Sequence, residues 1–411
     1  MTIVVITVLL AWLFAGSALL ALAYRRTLFA AWREPVLRAP ILIFESDDWG
    51  YGPLSQMQAL DRLADVLARF RDAGGRHPVA ALGVILAGPD AQRMRLEHCH
   101  VYRSVALDDA RLQPVREAML RGKARGVFAL QLHGMQHFRP ESLMRRIDDA
   151  PIRDWLAADW PKTEDLPSAL QSRWIDASKL PSAALSEDEV LASTGDEAQA
   201  FARVFGATPE VAVPTTFVWT GAVERGWARA GVRVVVTPGV RNQSRDAKGD
   251  VVATATRFFN GERAPEDAIY VVRDAYFEPS LGHASEGALA ALRAKALTAR
   301  PALLEMHRFN FLGDAAKTQH ALDELARLLQ AALSAFPRLR FMSTAELAQQ
   351  YRLRSVLIES RVTARLHFFI RRLAAVSRLR KLAWATGAAL PAWLAYVLTR
   401  PGEPPAAGSV A

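Results

Sequence analysis

Three short apolar runs in this chain each end in residues that bind metals or carry protons. The run 127–132 stops at His133, and His137 lies four residues on. The run 41–44 leads into Glu45, Ser46, Asp47, Asp48, Trp49 and Gly50. Leu303, Leu304, Glu305 and Met306 end in His307. Apolar runs of this length read as buried strands. In α/β folds the carboxyl edge of the sheet is where sites are built. Taken singly, a His pair, a double Asp or a strand-end His reads as a solvated turn or a satisfied core group. Together, two His and a carboxylate with open positions suit a catalytic divalent ion, usually zinc.

The rest of the chain supports the strand reading. Apolar strand candidates lie at 41–45, 79–86, 127–132, 210–213, 233–237, 269–272, 301–306 and 339–342. Helical patterns lie between many of them, as at 54–72, 221–230, 286–298 and 315–334. Ser186 with Glu189 reads as a capping box opening a helix through Phe201. Such alternation argues for parallel strands in a barrel-like α/β fold. No short repeat, Walker loop or GxGxxG is visible. Residues 242–248 are polar and read as a loop, and 401–411 are rich in Pro, Gly and Ala and read as disordered.

At these motifs the chain resembles the polysaccharide deacetylases of the NodB-homology type, carbohydrate esterase family 4. Ser46, Asp47, Asp48, Trp49 and Gly50 are similar to the family's first motif. His133, Gly134, Met135, Gln136 and His137 are similar to the second. Leu304, Glu305, Met306 and His307 match the last. The resemblance runs over about residues 40–350 and takes in 341–347, which looks like the closing strand and helix. It implies a distorted (β/α) barrel in which Asp48, His133 and His137 hold the metal, Asp47 is the base and His307 the acid. The chain also departs from the family. The third motif places an Arg before a Pro and an aromatic, whereas 211–217 has Pro214 and Phe217 but no Arg. The fourth motif's Asp, which holds the acidic His, has no clear counterpart. Arg273 and Asp274, after the run 269–272, are the candidates to replace both. With that divergence the substrate is not inherited.

Charge and hydropathy point to a membrane. The 411 residues carry a formal charge of +9, and 352–381 alone holds eight Arg and one Lys against Glu359. A nucleic-acid enzyme would carry that charge around its site; here it sits in one terminal segment beside Phe368, Phe369 and Ile370, which suits an anionic lipid surface. The alternative is a solvated basic helix. Residues 3–24 are uncharged and long enough to span a bilayer. Arg25, Arg26 and Arg33 follow, and no Lys or Arg precedes, which is wrong for a typical signal peptide; the alternative is a removable signal, since the Ala-rich sequence would allow cleavage. The positive-inside rule then puts the domain on the cytoplasmic face of the inner membrane. The uncharged run 382–399 is borderline for spanning and reads as interfacial or re-entrant. Cys99 is the single cysteine, so neither an intramolecular disulfide nor a Cys-based zinc site forms.

These readings divide the chain into a transmembrane anchor (1–24), a catalytic domain (25–350) and a basic membrane-associating tail (351–411). The Pro- and Trp-rich stretch 139–185 reads as an insertion over the site. Its Trp155, Trp160 and Trp174 either stack on sugar rings or touch lipid, or else pack a local core. The tail is expected to press the domain to the bilayer and leave the strand ends within reach of a lipid-borne sugar. The expected activity is metal-dependent removal of an acetyl or formyl group from an N-acylated glycan, with no nucleic-acid partner. The alternative is a catalytically silent glycan-binding or scaffold protein on the same fold. A phosphoesterase would need further metal ligands or a basic phosphate clamp, and neither lies near the motifs.

Overall fold

The computed structural model describes residues 2–400. Among these, nine strands form one sheet: β1 (Ile41–Gly50), β2 (Ala80–Ile85), β3 (Phe128–Leu132), β4 (Val211–Ala212), β5 (Val234–Thr237), β6 (Ile269–Val272), β7 (Ala275–Tyr276), β8 (Ala302–His307) and β9 (Arg340–Phe341). Their order is β6-β5-β4-β3-β2-β1-β8-β7, with β9 beside the start of β1. Every pairing in the sheet is parallel. All eight strand candidates of the sequence are present. The two edge strands, β6 and β7, are the halves of one stretch, 269–276, interrupted only by Arg273 and Asp274. The sheet therefore curls until its edges meet in the chain itself, which places Arg273 at the seam.

Both faces of the sheet are covered, as parallel sheets require. Period-2 alternation sends Leu42 and Phe44 into the larger core, shared with helices α3 (Gln56–Ala68), α4 (Gln113–Ala124), α5 (Glu187–Phe205), α6 (Gly221–Arg229), α7 (Ser285–Leu297) and α8 (Ala315–Ala335). Ile41, Ile43, Val234, Val236, Val271 and Leu303 face the other way, where α9 (Thr344–Leu353) closes the inner face with Leu347, Ala348 and Tyr351. Going up β1, this inner row reads Ile41, Ile43, Glu45, Asp47. It is apolar at the amino end, ionic in the middle and ends at the site.

Two local expectations change. Residues 242–248 are a loop only from Asp246 on: Val240–Arg245 pairs antiparallel with Val251–Arg257, and Asp246 caps the turn by accepting from the Lys248 and Asp250 amides. The reciprocal capping box is at Ser343 and Glu346, opening α9. At Ser186 the hydroxyl accepts from the Glu189 amide, 3.3 Å, and the return bond is not made.

At the opposite, amino-terminal ends of the strands lies a base of helices. It comprises α1 (Thr2–Ala23), α2 (Arg25–Arg33), α10 (Val362–Ala374), α11 (Ser377–Thr386) and α12 (Ala389–Leu398). Residues Ile3–Ala23 reach a mean hydropathy of 2.6 and lie almost wholly outside the core, as in a signal sequence or a membrane anchor. Buried Glu34, between α2 and β1, accepts from Arg300 at 2.7–3.0 Å and from Asn260 at 3.0 Å. Arg372 of α10 donates to the carbonyls of Glu34, Pro35, Thr298 and Ala299 at 2.8–3.0 Å. One of the eight arginines expected at a lipid surface is therefore a buried clamp. The basic tail joins the domain at the edge opposite the acid-bearing strand ends. The segment expected to be disordered, 401–411, lies outside the described residues.

Candidate metal and catalytic site

Strand alternation would send Asp47 and Asp48 to opposite faces. The chain solves this at Asp48 itself, which takes φ +72°. The β1–β2 register shifts between Ser46 and Trp49, and both carboxylates turn inward. The left-handed region is costly for a non-glycine residue, by about 1–3 kcal/mol, and clusters at functional positions. Gly83 on β2 makes the room: a Cβ there would stand 2.3 Å from Asp47 Oδ1.

Asp48, His133 and His137 converge. Each imidazole Nε2 lies 3.5 Å from Asp48 Oδ1, and one ligand atom from each residue falls within 4.8 Å of the others. Bonds of about 2.0–2.2 Å in a tetrahedral shell put ligand atoms about 3.4 Å apart, so the spacing fits one small divalent ion. Asp48 Oδ1 is buried and has no hydrogen-bond partner, which is costly unless something else satisfies it. His133 Nδ1 meets the Val213 carbonyl at 2.9 Å, which aims Nε2 at Asp48 in the manner of an oriented ligand. Burial pushes the His137 imidazole down to about 4, leaving it neutral and able to offer a lone pair. Burial likewise opposes charge on His133, but Asp47 and Asp48 outweigh it and raise its pKa. The proton it keeps stands where a cation's charge would be, and metal binding would release it.

Asp47 has a different set of neighbours. Its Oδ2 accepts from Arg273 Nη2 at 2.7 Å, while buried Oδ1 has no partner. Burial works against its charge, yet Arg273 and His133 prevail and lower its pKa, so it is a carboxylate. Arg273 is buried and also faces Glu305 at 3.2 Å and Glu45 at 3.8 Å. Phe217 lies under its guanidinium, 4.9 Å from ring centroid to carbon. The stretch 211–217 thus keeps its aromatic against an arginine, but the arginine comes from the seam of the sheet.

Asp274 does not take part. It is exposed and pairs with Lys295 on α7. The residue that holds His307 is Glu278, whose Oε1 meets Nδ1 at 2.5 Å. Asn310 donates to the other Glu278 oxygen, and Glu278 is itself buried. Burial opposes protonation of His307, but the Glu278 bond and the charges of Asp48 and Asp47 overcome it and raise its pKa to about 10. The β1–β8 register sets Asp47 beside His307. Sequence reasoning missed Glu278 because it looked for an Asp directly after a strand; the acid four residues beyond Asp274 was the available signal.

The 139–185 insertion builds mostly its own core. Trp155 is buried with Phe138, Leu143 and Ile152, and Trp174 packs edge-on to Trp227. Trp160 alone of the three is half-buried, against Tyr51 at 5.7 Å. Glu164 reaches the site's rim, where it pairs with buried Arg308 at 2.9 Å. Of Asp47, Asp48, His133, His137 and His307, only His307 meets solvent appreciably, with 26% of its side chain exposed. The imidazole therefore marks the way in.

No family model and no curated protein matches the chain. Among solved structures it is similar to a Mycobacterium smegmatis protein assigned as a polysaccharide deacetylase, with a TM-score of 0.39 and 13% identity over 80% of this chain and 99% of that one. It is similar also to a family 4 carbohydrate esterase from Streptomyces lividans, at 0.34 and 10%, over 76% and 96%. A 4-alpha-glucanotransferase from Thermococcus litoralis scores 0.38 at 10% identity over 84% of this chain, which spans only 47% of that enzyme. Each likeness is distant, and no activity of this chain follows from it.

Proposed function

We propose that this chain is a divergent polysaccharide deacetylase, a metal-dependent hydrolase that removes an N-acyl group, acetyl or formyl, from a glycan. The observation that supports it most is the buried Asp48–His133–His137 triad, with an arginine-held carboxylate on one side and a carboxylate-held imidazole on the other. A divalent ion there, zinc by the donor set, would lower the pKa of a water and polarise the acyl carbonyl. Asp47, kept ionised by Arg273, takes the proton from the attacking water. The water oxygen forms the new bond to the acyl carbon. His307, charged and oriented by Glu278, gives its proton to the nitrogen as the C–N bond breaks, so that an amine and a short carboxylate leave. Gly83 and the Asp48 turn let both carboxylates face the site, so that one can bind while the other accepts.

The catalytically silent alternative drew its support from a missing arginine, and Arg273 supplies one. We read α1 as a membrane anchor with the domain on the cytoplasmic face, from the cations that follow it. The triad then faces away from the anchor by the length of β1, about 23 Å from Ile41 to Asp48. That distance favours a glycan that rises from the membrane over the first sugar on a lipid.

Metal analysis of purified protein, followed by acetate and formate release from N-acylated oligosaccharides, tests the reading. One divalent ion per chain is expected, and His133→Ala with His137→Ala should lose both ion and turnover. Native metal content in that double variant would remove the site.

A further inference from the structure

We propose that α11 and α12 form a re-entrant hairpin that enters one leaflet, the leaflet facing the domain, with lipid acyl chains as its partner. This rests on reading α1 as a membrane span and is independent of the metal chemistry.

The two helices are a reversal and not a second crossing. α11 ends at Gly387, in the left-handed region at φ +79°, and α12 runs back. The return is tied to the domain, where His367 on α10 meets the Tyr396 carbonyl at 3.2 Å and stacks on its ring at 4.3 Å. Both ends of the hairpin therefore lie at the base of the domain. Each helix has ten residues. That length rises about 15 Å, half of a hydrocarbon core of about 30 Å.

α1 gives a second measure of the depth. The tip meets α1 at Gly16, where an added Cβ would stand 2.7 Å from Thr386 Cβ, and Leu13 lies beside Gly387. Those positions are 8 to 11 residues from Tyr24, the break that ends α1, or about 12–16 Å along its axis. The two lengths agree on mid-bilayer. Beyond the tip, the first half of α1 continues alone, with Ile3, Leu9, Leu10 and Trp12 exposed. A small residue at the crossing is how membrane helices approach closely.

The surface chemistry follows the same axis. Trp384, Leu390, Trp393, Leu394, Val397 and Leu398 are exposed on the hairpin, a contiguous apolar face that a soluble surface rarely carries. Thr386, the polar side chain at the tip, donates to the Leu382 carbonyl at 3.0 Å, so it carries no unmet hydrogen bond into lipid. Arg378 opens α11 and Arg400 follows α12 at the base, Arg380 and Lys381 lie in the first half of α11, and no acid occurs from 360 to 400. Anionic headgroups are the complement of that ring of cations.

Single cysteines in a full-length Cys99→Ser background test the hairpin with an impermeant maleimide on sealed vesicles of both orientations. Ser377→Cys and Arg400→Cys should react from the same face as Ala247→Cys on the domain. Leu390→Cys should react from neither face and become reactive on adding detergent. Labelling of Arg400→Cys from the opposite face would make the segment a full span and overturn the proposal. Leu390→Cys reacting as fast as Ala247→Cys would make the hairpin a water-facing surface. Quantitative oxidation of Leu390→Cys to a dimer would assign the apolar face to a second copy. Recovery of the full chain in the soluble fraction would overturn the anchor and the hairpin together, while leaving the hydrolase reading untouched.

Discussion

Two of the protein's buried ion clusters stand at opposite ends of the same strands. At the base, Glu34 takes three side-chain donors, and Arg372 donates to four carbonyls. At the rim, Asp47 Oδ1, Asp48 Oδ1 and His137 Nδ1 are buried without a partner. Burying a polar atom unpaired costs about 1–3 kcal/mol, more if charged. In the base cluster the charged groups Glu34 and Arg372 are both partnered, and the cluster fastens helices to a barrel. The rim cluster is incomplete in a way that a cation, a water and a substrate would complete. The same residue types make a rivet in one place and a candidate reaction centre in the other, and the difference lies in which atoms are left unmatched.

Substitutions at the two ends should therefore fail differently. The largest loss is expected from Asp47→Asn, which keeps the fold and the bound metal but removes the proton acceptor. Turnover should fall by about 10²–10⁴-fold at unchanged metal content. If the metal is lost instead, and Asp48→Asn retains it, the roles of the two carboxylates are exchanged.

At the base, Glu34→Ala should act on stability alone. Removing one partner of a buried pair strands the others and costs about 3–5 kcal/mol in a denaturant titration. The protein that remains folded should bind metal as before. Burial opposes the charge of Glu34, but Arg372 and Arg300 outweigh it and lower its pKa. Its contribution is therefore present above the ordinary carboxylate range and is lost as pH falls through the depressed value. Acid unfolding of Glu34→Gln should begin at higher pH than in the parent, and an unchanged acid transition would refute the linkage.

Glu278→Gln should show its effect in the pH profile more than in stability. His307 is raised to about 10 and works as an acid below that value. Without the Glu278 charge its pKa drops, and the alkaline limb of kcat should move down by about 1–3 units. A limb that stays in place would show that His307 does not donate the proton. The smallest effect belongs to Asp274→Ala. Its pairing with Lys295 is at the surface, so stability should change by no more than about 0.5 kcal/mol, with kinetics unaltered.

What could be read from the sequence is what depends on short stretches of chain. Each strand announces itself by a run of apolar residues, and the residues ending three such runs, Asp47 and Asp48, His133, and His307, arrive at one edge because all strands are parallel. The uncharged length of α1 and the cations after it are local in the same sense. What tertiary structure decided depends on which strands become neighbours. Arg273 reaches Asp47 across 226 positions because the sheet curls until β6 and β7 meet in one segment. Glu278 reaches His307 across 29 because β7 lies beside β8 and the chain turns back after it. No periodicity in a single strand specifies that register, which is why Arg273 and Asp274 looked equally placed and only Arg273 faces inward. The left-handed turn at Asp48 belongs to the same class: alternation says the two aspartates part, and the space left by Gly83 on the next strand lets them stay together.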